Sequence, residues 1–248
     1  MFQGSMVAIV TPMNSDGSLD IKSFKSLLDF HIEKKTNGVV VVGTTGEAPT
    51  IDFDEHTFLI QEAVNHINGK IPVIAGSGEN STKEAIFLTK KSKELGADAC
   101  LLITPYYNKP NQEGLFQHFI KIADSVDIPQ ILYNVPSRTA CDLRPETVMR
   151  LADHPNIVGI KEALDDVARL NELMAISDSQ IDTKYFSILS GDDQSFNSFM
   201  ANGGDGVISV AANIIPSQIS QICSLNLTKQ FADASELNSI YTNIFELL

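Results

Sequence analysis

Eight short apolar segments recur along the chain, and their alternation with stretches of helical spacing is the strongest constraint on the fold. Each segment is rich in Val, Ile or Leu and is bounded by Gly, Pro or a polar cluster. Their apolar runs are too continuous for half-exposed strands, and are typical of parallel strands buried on both faces. The segments cover residues 6–12, 38–43, 71–77, 99–105, 130–136, 157–163, 186–191 and 206–211.

Strand and helix alternating eight times predict a closed parallel (β/α)8 barrel, the TIM barrel architecture. The length of 248 residues agrees with a single barrel of this class. A doubly wound open sheet is the alternative, but it usually needs a switch point and a phosphate-binding loop. The glycine-bearing turns contain neither GxGxxG nor GK[ST], so we predict simple turns and no nucleotide site.

Two helical patterns follow the eighth apolar segment. Their spacing predicts a closing helix over residues 214–225 and one more helix over residues 231–248. We therefore divide the chain into a barrel, residues 1–226, and a C-terminal helical segment, residues 227–248. The last helix ends on an apolar stripe without a C-cap glycine, and such a stripe needs a partner.

Composition excludes several classes of partner. The net charge of −13 and the pI near 4.7 argue against binding to nucleic acid or to an anionic membrane. No apolar run is long enough for a spanning helix, and the first residues lack the basic region of a signal peptide. The three cysteines are scattered without a CxxC pair, which favours a reducing cytoplasm. The five histidines show no metal-ligand spacing, so we expect no catalytic metal.

Lys161 near the end of the sixth segment is the central candidate for catalysis. Low-dielectric walls around a buried strand end favour the neutral amine, which is the nucleophile of Schiff-base chemistry. The alternative is a structural lysine that extends to the surface. Tyr133 ends the preceding strand and favours the catalytic interpretation.

Catalytic groups of such barrels lie at the C-terminal ends of the strands. The sequence places there a lysine, an arginine, and several tyrosines and threonines: Thr44, Thr45, Tyr106, Tyr107, Tyr133, Arg138 and Lys161, with Gly191 and Ile208 on the last two strands. Structural alternatives exist for each group. The tyrosines after the fourth strand could be interface aromatics, the threonines could be helix N-caps, and Arg138 could pair with Asp142.

These motifs resemble the dihydrodipicolinate synthase family, also called 4-hydroxy-tetrahydrodipicolinate synthase, of the class I pyruvate aldolases. The resemblance starts at the GSMVAIVTP segment, residues 4–12, and continues to GVISV, residues 206–210. It implies condensation of pyruvate with L-aspartate 4-semialdehyde in lysine and diaminopimelate biosynthesis. It also implies no cofactor beyond the covalent Schiff base between lysine and pyruvate.

The resemblance assigns roles to the proton-transfer residues. Lys161 is similar to the Schiff-base lysine, and Tyr133 to the proton relay above it. In the family that relay runs through Thr44 to Tyr107 of a neighbouring subunit, so the resemblance implies a homodimer or homotetramer. A phenol transfers protons poorly at neutral pH unless hydroxyl neighbours assist it, which agrees with a chain of this kind.

The resemblance also assigns the substrate contacts. Arg138 is similar to the cation that receives the carboxylate of the aldehyde substrate, and a guanidinium can bind a carboxylate in bidentate fashion. Thr45 is similar to a contact of the pyruvate carboxylate. The backbones of Gly191 and Ile208 complete the wall.

Feedback inhibition by lysine is a further implication. Family members that respond to lysine bind it in a cleft at the dimer interface, and the matching positions are Tyr106, Asn80, Glu84 and His56. Phe53 and Pro49 depart from the lysine-sensitive pattern and predict weaker inhibition. The alternative is an ordinary polar interface.

Two other functions are consistent with much of the same sequence. One is a related pyruvate aldolase such as N-acetylneuraminate lyase, and the other is a catalytically dead barrel that serves as a partner subunit. Arg138 together with the paired Tyr106 and Tyr107 favours the synthase. Family members carry a C-terminal helical bundle, and we expect this chain to contain only its first helices.

Overall fold

The strands form one closed parallel barrel in the computed structural model, which describes residues 2–180 and 185–248. They are β1 (Gly4–Ala8), β2 (Gly38–Val41), β3 (Val73–Gly76), β4 (Ala99–Ile103), β5 (Gln130–Asn134), β6 (Ile157–Glu162), β7 (Ser187–Ser190) and β8 (Gly206–Ser209). Each strand pairs in parallel with the next, and β8 pairs with β1, where Gly206 lies opposite Gly4. The predicted (β/α)8 barrel is therefore confirmed, and the open sheet is wrong.

Helices follow the strands around the outside of the barrel. They are α1 (Ile21–Glu33), α2 (Phe53–Ile67), α3 (Thr82–Glu94), α4 (Gln112–Ser125), α5 (Pro136–Thr139), α6 (Pro145–Ala152), α7 (Val167–Gln180), α8 (Phe196–Ala201), α9 (Pro216–Leu227), α10 (Phe231–Ile240) and α11 (Thr242–Phe245), with 3-10 turns at Ala48–Thr50 and Ala211–Asn213. Polar residues of the loops set several helix starts. The Asp52 side chain accepts the Glu55 amide proton at 2.9 Å, and the Asn111 side chain accepts that of Gly114 at 2.9 Å.

Most predicted apolar segments run past the ends of the observed strands. The second segment was expected to reach Gly43, but β2 ends at Val41 because Val42 adopts a left-handed backbone with φ 54°. The first strand also differs from the prediction at its N-terminal end. It begins at Gly4, two residues before the predicted segment, because the Gly4 amide donates to the Asp205 carbonyl at 2.9 Å.

Apolar side chains pack in two layers, one inside the barrel and one between the strands and the helices. Met6, Val40, Ile74, Leu101 and Leu189 belong to the inner layer, and all are buried. Alternate residues of the same strands face outward and pack against the helices. Burial of both faces explains why the strands read as continuous apolar runs.

The chain after β8 differs from the expectation of one long final helix. The predicted helix over residues 231–248 is two helices, α10 and α11, because Tyr241 leaves the helical conformation at φ −106° and ψ 6°. The break turns Phe245 inward, where its ring packs edge to face against Phe196 at 5.9 Å between centroids. Ile240 and Leu247 remain exposed, so the apolar stripe is only partly covered. The division into domains at residue 226 stays a prediction.

Two buried histidines couple the fold to pH. His31 on α1 places Nδ1 3.1 Å from the Thr36 Oγ1 atom, and His118 on α4 places Nδ1 2.8 Å from the Thr82 Oγ1 atom. Burial lowers the pKa of each imidazole from 6.5 to about 4. Both rings are therefore neutral in the folded protein at pH values where the unfolded chain already binds protons.

We expect the free energy of unfolding to fall as the pH drops from about 7 to 5. The folded pKa of each ring lies below its unfolded value, so protons bind preferentially to the unfolded chain, and each ring contributes about 2 kcal/mol of loss by pH 5. Urea unfolding at pH 7.5 and 5.0 measures this loss. The variant His118→Asn should lose the contribution of His118, about 2 kcal/mol, whereas Thr82→Val, which keeps the imidazole, should retain the wild-type slope. If the free energy of unfolding fell by the same amount between pH 7.5 and 5.0 in His118→Asn and in the wild type, the prediction would be wrong.

Candidate active site

Lys161 lies near the C-terminal end of β6, and its side chain is 5% exposed. The register of β5 and β6 places it opposite Tyr133. The Nζ atom lies 4.3 Å from the centroid of the Tyr133 ring, within the range of a cation–π contact. The side chain therefore stays inside the barrel mouth instead of extending to the surface.

Gly191 after β7 provides the space that Lys161 occupies. A Cβ atom at position 191 would lie 2.9 Å from Lys161 Cε and 3.0 Å from Ala163 Cβ. The Gly191 amide donates to the Glu162 carbonyl at 2.7 Å, which holds this backbone against the end of β6. Any larger residue would push the lysine amine away from the Tyr133 ring.

Lys161 lines a cavity of about 150 Å³. Six residues that the sequence analysis placed at strand ends line it: Thr44, Thr45, Tyr133, Arg138, Lys161 and Gly191. Ser137 and Asp192 also line the cavity and were outside the predicted set. Their signal in the sequence is their position, since each lies next to a predicted site residue in a strand-end segment. Ile208 lies in the inner layer of the barrel, and Val210 lines the cavity in its place.

Arg138 reaches this cavity from α5, the short helix that follows β5. Within residues 2–180 and 185–248, no carboxylate forms an ion pair with its guanidinium. Asp142, the alternative partner from the sequence, instead pairs with Arg169 at 2.8 Å. The Arg138 guanidinium is therefore available to an anionic ligand at the mouth of the barrel.

Tyr107 is not part of the cavity in this chain. Its side chain is 90% exposed and its backbone has φ 72°, which is strained for a residue with a side chain. No hydrogen bond joins the hydroxyl groups of Tyr133, Thr44 and Tyr107 in the described part of the protein. The proton relay among these residues, with Tyr107 supplied by a neighbouring subunit, stays a prediction.

A second cavity of about 300 Å³ adjoins the first and shares Thr44, Tyr133 and Arg138 with it. His56 and Tyr106, two of the predicted effector residues, line this second cavity. Asn80 contacts it only indirectly, since its side-chain amide donates to the Tyr106 carbonyl at 3.4 Å, and Glu84 lies in the first turn of α3 outside the lining.

Glu79 is a polar residue of the second cavity that sequence reasoning missed. Its carboxylate accepts the Tyr106 hydroxyl proton at 2.5 Å. Burial and the Glu79 carboxylate raise the pKa of Tyr106, so its phenol remains a neutral donor. His56 is held by a contact of 2.8 Å between Nε2 and the Gly76 carbonyl, and burial lowers the pKa of this imidazole.

A strained backbone at Val42 shapes the turn that carries Thr44 and Thr45. Val42 has φ 54°, and a β-branched residue rarely adopts this conformation. Gly76 makes it feasible, because a Cβ atom there would lie 2.1 Å from the Val42 carbonyl oxygen. The sequence shows this constraint only as a glycine at the end of the third strand.

The described residues contain no group of three His, Cys, Asp or Glu side chains that could hold a metal ion. Over the same ranges, none of the helices combines the length and the apolar character needed to cross a membrane. Cys100, Cys141 and Cys223 are buried free thiols.

Comparisons with known proteins show the family to which the chain belongs. The sequence profile of the "Dihydrodipicolinate synthetase family" matches residues 1–248. A 4-hydroxy-tetrahydrodipicolinate synthase of Nitrosomonas europaea is 54% identical over 248 residues, which are 100% of this chain and 82% of that protein. The pyruvate complex of a chloride-inhibited dihydrodipicolinate synthase from Acinetobacter baumannii superimposes with a TM-score of 0.94 at 51% identity, covering 100% of this chain and 84% of the other.

A dihydrodipicolinate synthase of Aquifex aeolicus, at 42% identity, superimposes with a TM-score of 0.95 over 100% of this chain and 83% of its own. Similarity of this extent over the whole chain covers every strand end that contributes to the cavity around Lys161. The chain belongs to the dihydrodipicolinate synthetase family.

Proposed function

We propose that the protein condenses pyruvate with L-aspartate 4-semialdehyde through a Schiff base at Lys161, giving 4-hydroxy-tetrahydrodipicolinate and water. The observation that carries the proposal is the buried Lys161 amine, 4.3 Å from the Tyr133 ring, in one cavity with the unpaired Arg138. A condensation of two carboxylic acids through an imine needs an amine, a proton-transfer group and a cation. The names of the relatives support the same activity.

The first half of the reaction forms the covalent intermediate. The neutral Lys161 amine attacks the ketone carbon of pyruvate, and the carbinolamine oxygen leaves as water to give an imine. Loss of a proton from the pyruvate methyl group then converts the imine to an enamine. The Tyr133 phenol, next to the amine, supplies and removes these protons.

The second half forms the carbon–carbon bond. The enamine carbon attacks the aldehyde carbon of L-aspartate 4-semialdehyde, whose carboxylate binds the Arg138 guanidinium. The amino group of this substrate next attacks the imine carbon, which closes the ring and releases the Lys161 amine. Thr45 in the cavity wall contacts the pyruvate carboxylate.

No cofactor enters this scheme, because the protonated imine withdraws the electron pair of the broken methyl C–H bond and stabilises it as the enamine, which is the role that a metal ion or an organic cofactor would otherwise have. The three buried free thiols support a location in the reducing cytoplasm. A lyase for N-acetylneuraminate would share the lysine and the tyrosine, but the relatives' names favour the synthase.

We expect sodium borohydride to trap pyruvate on Lys161. Reduction of the imine makes the bond permanent, so mass spectrometry of the digested protein should locate the adduct on the peptide that contains residue 161. The variant Lys161→Ala should show neither adduct nor activity, whereas Lys70→Ala, which removes an exposed lysine, should behave as the wild type. An adduct of equal yield in Lys161→Ala would disprove the assignment.

We further propose that the active site is completed by a second subunit. Tyr107 is too exposed to serve the cavity of its own chain, and its strained backbone projects the ring from the loop after β4. A tyrosine in this position can enter the cavity of a neighbouring copy and extend the relay from Tyr133 through Thr44. The assembly is then at least a homodimer with shared sites.

Mixing two inactive variants tests the shared site. In a hybrid of Lys161→Ala and Tyr107→Phe subunits, one of the two sites regains both native residues, so a 1:1 mixture of exchanging dimers should recover about a quarter of wild-type activity. A mixture of Lys161→Ala with Tyr133→Phe should recover none, because both residues act within one chain. Absence of recovery in the first mixture, with hybrids detected by differently tagged subunits, would show that Tyr107 acts in its own chain or not at all.

The second cavity supports a proposal of inhibition by lysine. Its Glu79 carboxylate, which accepts the Tyr106 hydroxyl proton in the free protein, can accept from an ammonium group of the ligand. The Tyr106 hydroxyl is then free to rotate and donate its proton to the ligand carboxylate. Asn80 and Glu84 complete the proposed effector contacts together with His56. Pro49 and the neighbouring Ala48 line the cavity without polar side chains, which limits the affinity.

We expect lysine to inhibit the enzyme, and Tyr106→Phe to raise the half-inhibitory concentration about ten- to a hundredfold. The range corresponds to roughly 1.5–3 kcal/mol for one lost hydrogen bond to a charged ligand. Initial rates at fixed pyruvate and semialdehyde measure the effect, and trapping of pyruvate on Lys161 should be unchanged in the variant. A flat response of the wild type up to tens of millimolar lysine would remove this regulatory proposal and leave the catalytic one intact.

A further inference from the structure

A buried ionic network lies on the outer face of β5 and β6, directly behind the catalytic cavity. The Glu162 side chain is 1% exposed, and its carboxylate accepts a hydrogen bond from Arg169 Nε at 2.6 Å. The same carboxylate accepts the Leu164 amide proton at 3.0 Å and contacts Asn134 Nδ2 at 3.1 Å. Every acceptor atom of this buried group is therefore engaged.

The network extends from Glu162 to the loop that follows α5. The Arg169 guanidinium donates from Nη2 to Asp142 Oδ1 at 2.8 Å and also to the Leu143 carbonyl oxygen. Asn134 donates to Asp142 Oδ1 at 3.0 Å and accepts the Leu143 amide proton at 2.9 Å. Asn134 and Arg169 thus each bind Asp142 and Leu143, the two residues at the C-terminal end of the loop.

These contacts close the loop that carries Arg138. The segment over residues 134–143 starts at the end of β5, bears Arg138 on α5, and returns to Asn134 through Leu143. Asn134 and Glu162 are also the residues that directly follow Tyr133 and Lys161, and they lie opposite each other in the register. One network therefore joins the base of the Arg138 loop to the strand end that holds the lysine.

Stability alone does not account for such a network. Removal of charged groups from water costs free energy that their mutual attraction often fails to offset, and apolar residues of similar volume pack as well or better. The directional contacts of a guanidinium, in contrast, specify the relative position of the groups they join. The network is suited to fixing geometry.

We infer that Glu162, Arg169 and Asp142 are positioning residues that hold the Arg138 guanidinium at a set distance from the Lys161 amine, and thereby determine binding of the second substrate. The inference rests on the proposed function. Formation of the pyruvate imine needs the lysine and Tyr133 but not Arg138, so loosening the loop affects the two halves of the reaction differently.

Asp142→Asn is the first test, because this side chain is 40% exposed and its amide analogue keeps the size of the group. We expect the KM for L-aspartate 4-semialdehyde to rise about tenfold, with kcat changed less than about threefold. The rate at which borohydride traps pyruvate on Lys161 should stay within about twofold of the wild type.

Arg169 provides the second test and a conservative rescue. Arg169→Met removes every contact of the guanidinium and should raise the same KM further, whereas Arg169→Lys keeps the charge next to Glu162 and should recover part of the loss. Glu113→Gln is the matched control, because it removes the carboxylate partner of Arg150, 2.9 Å away, outside the network. This control should keep both kinetic constants, and thermal unfolding shows that each variant is folded.

The outcomes separate the inference from the proposed function. An unchanged semialdehyde KM in folded Asp142→Asn and Arg169→Lys would overturn the positioning role. An equal loss in pyruvate trapping and in semialdehyde binding would also overturn it, since that result indicates general disruption of the site. Failure of the wild type to trap pyruvate would instead refute the proposed function, and this inference with it.

Discussion

The register between β5 and β6 is the constraint on which the site depends. It places Tyr133 opposite Lys161 on the inner face of the barrel and Asn134 opposite Glu162 on the outer face. Because side chains alternate along a strand, one pairing creates both the contact between the Lys161 amine and the Tyr133 ring and the ionic network behind it. A shift of one residue would exchange the two faces and remove the amine from the cavity.

Close backbone approach is the second constraint, and glycines make it feasible. Gly76 leaves space for the Val42 carbonyl oxygen, which a Cβ atom at position 76 would overlap. Gly191 leaves space for the Lys161 side chain. Each glycine thus shapes the wall of a cavity without contributing a functional group. The strain at Val42 persists because the surrounding strands determine its position, and the turn that it creates presents Thr44 and Thr45 to the cavity.

The fold was predictable because its signal is repeated and local. Eight apolar runs with helical spacing between them leave few architectures, and the barrel closed as expected. Strand ends were less predictable. β2 ends before Val42, whose backbone is left-handed, and no residue of the second apolar segment indicates this conformation. The final helix divided at Tyr241 because tertiary packing of Phe245 on Phe196 outweighed a continuous helical pattern.

The sequence by itself determined the barrel, the family and the residues at the strand ends, because these depend on periodicity and on motifs that are contiguous in the chain. Only the tertiary structure decided which of those residues share a cavity. It brought Lys161, Tyr133 and Arg138 together, left Tyr107 exposed, and paired Asp142 with Arg169 instead of Arg138. Glu79 and the network of Glu162 became visible only there, because contacts between residues distant in sequence depend on strand register and loop packing.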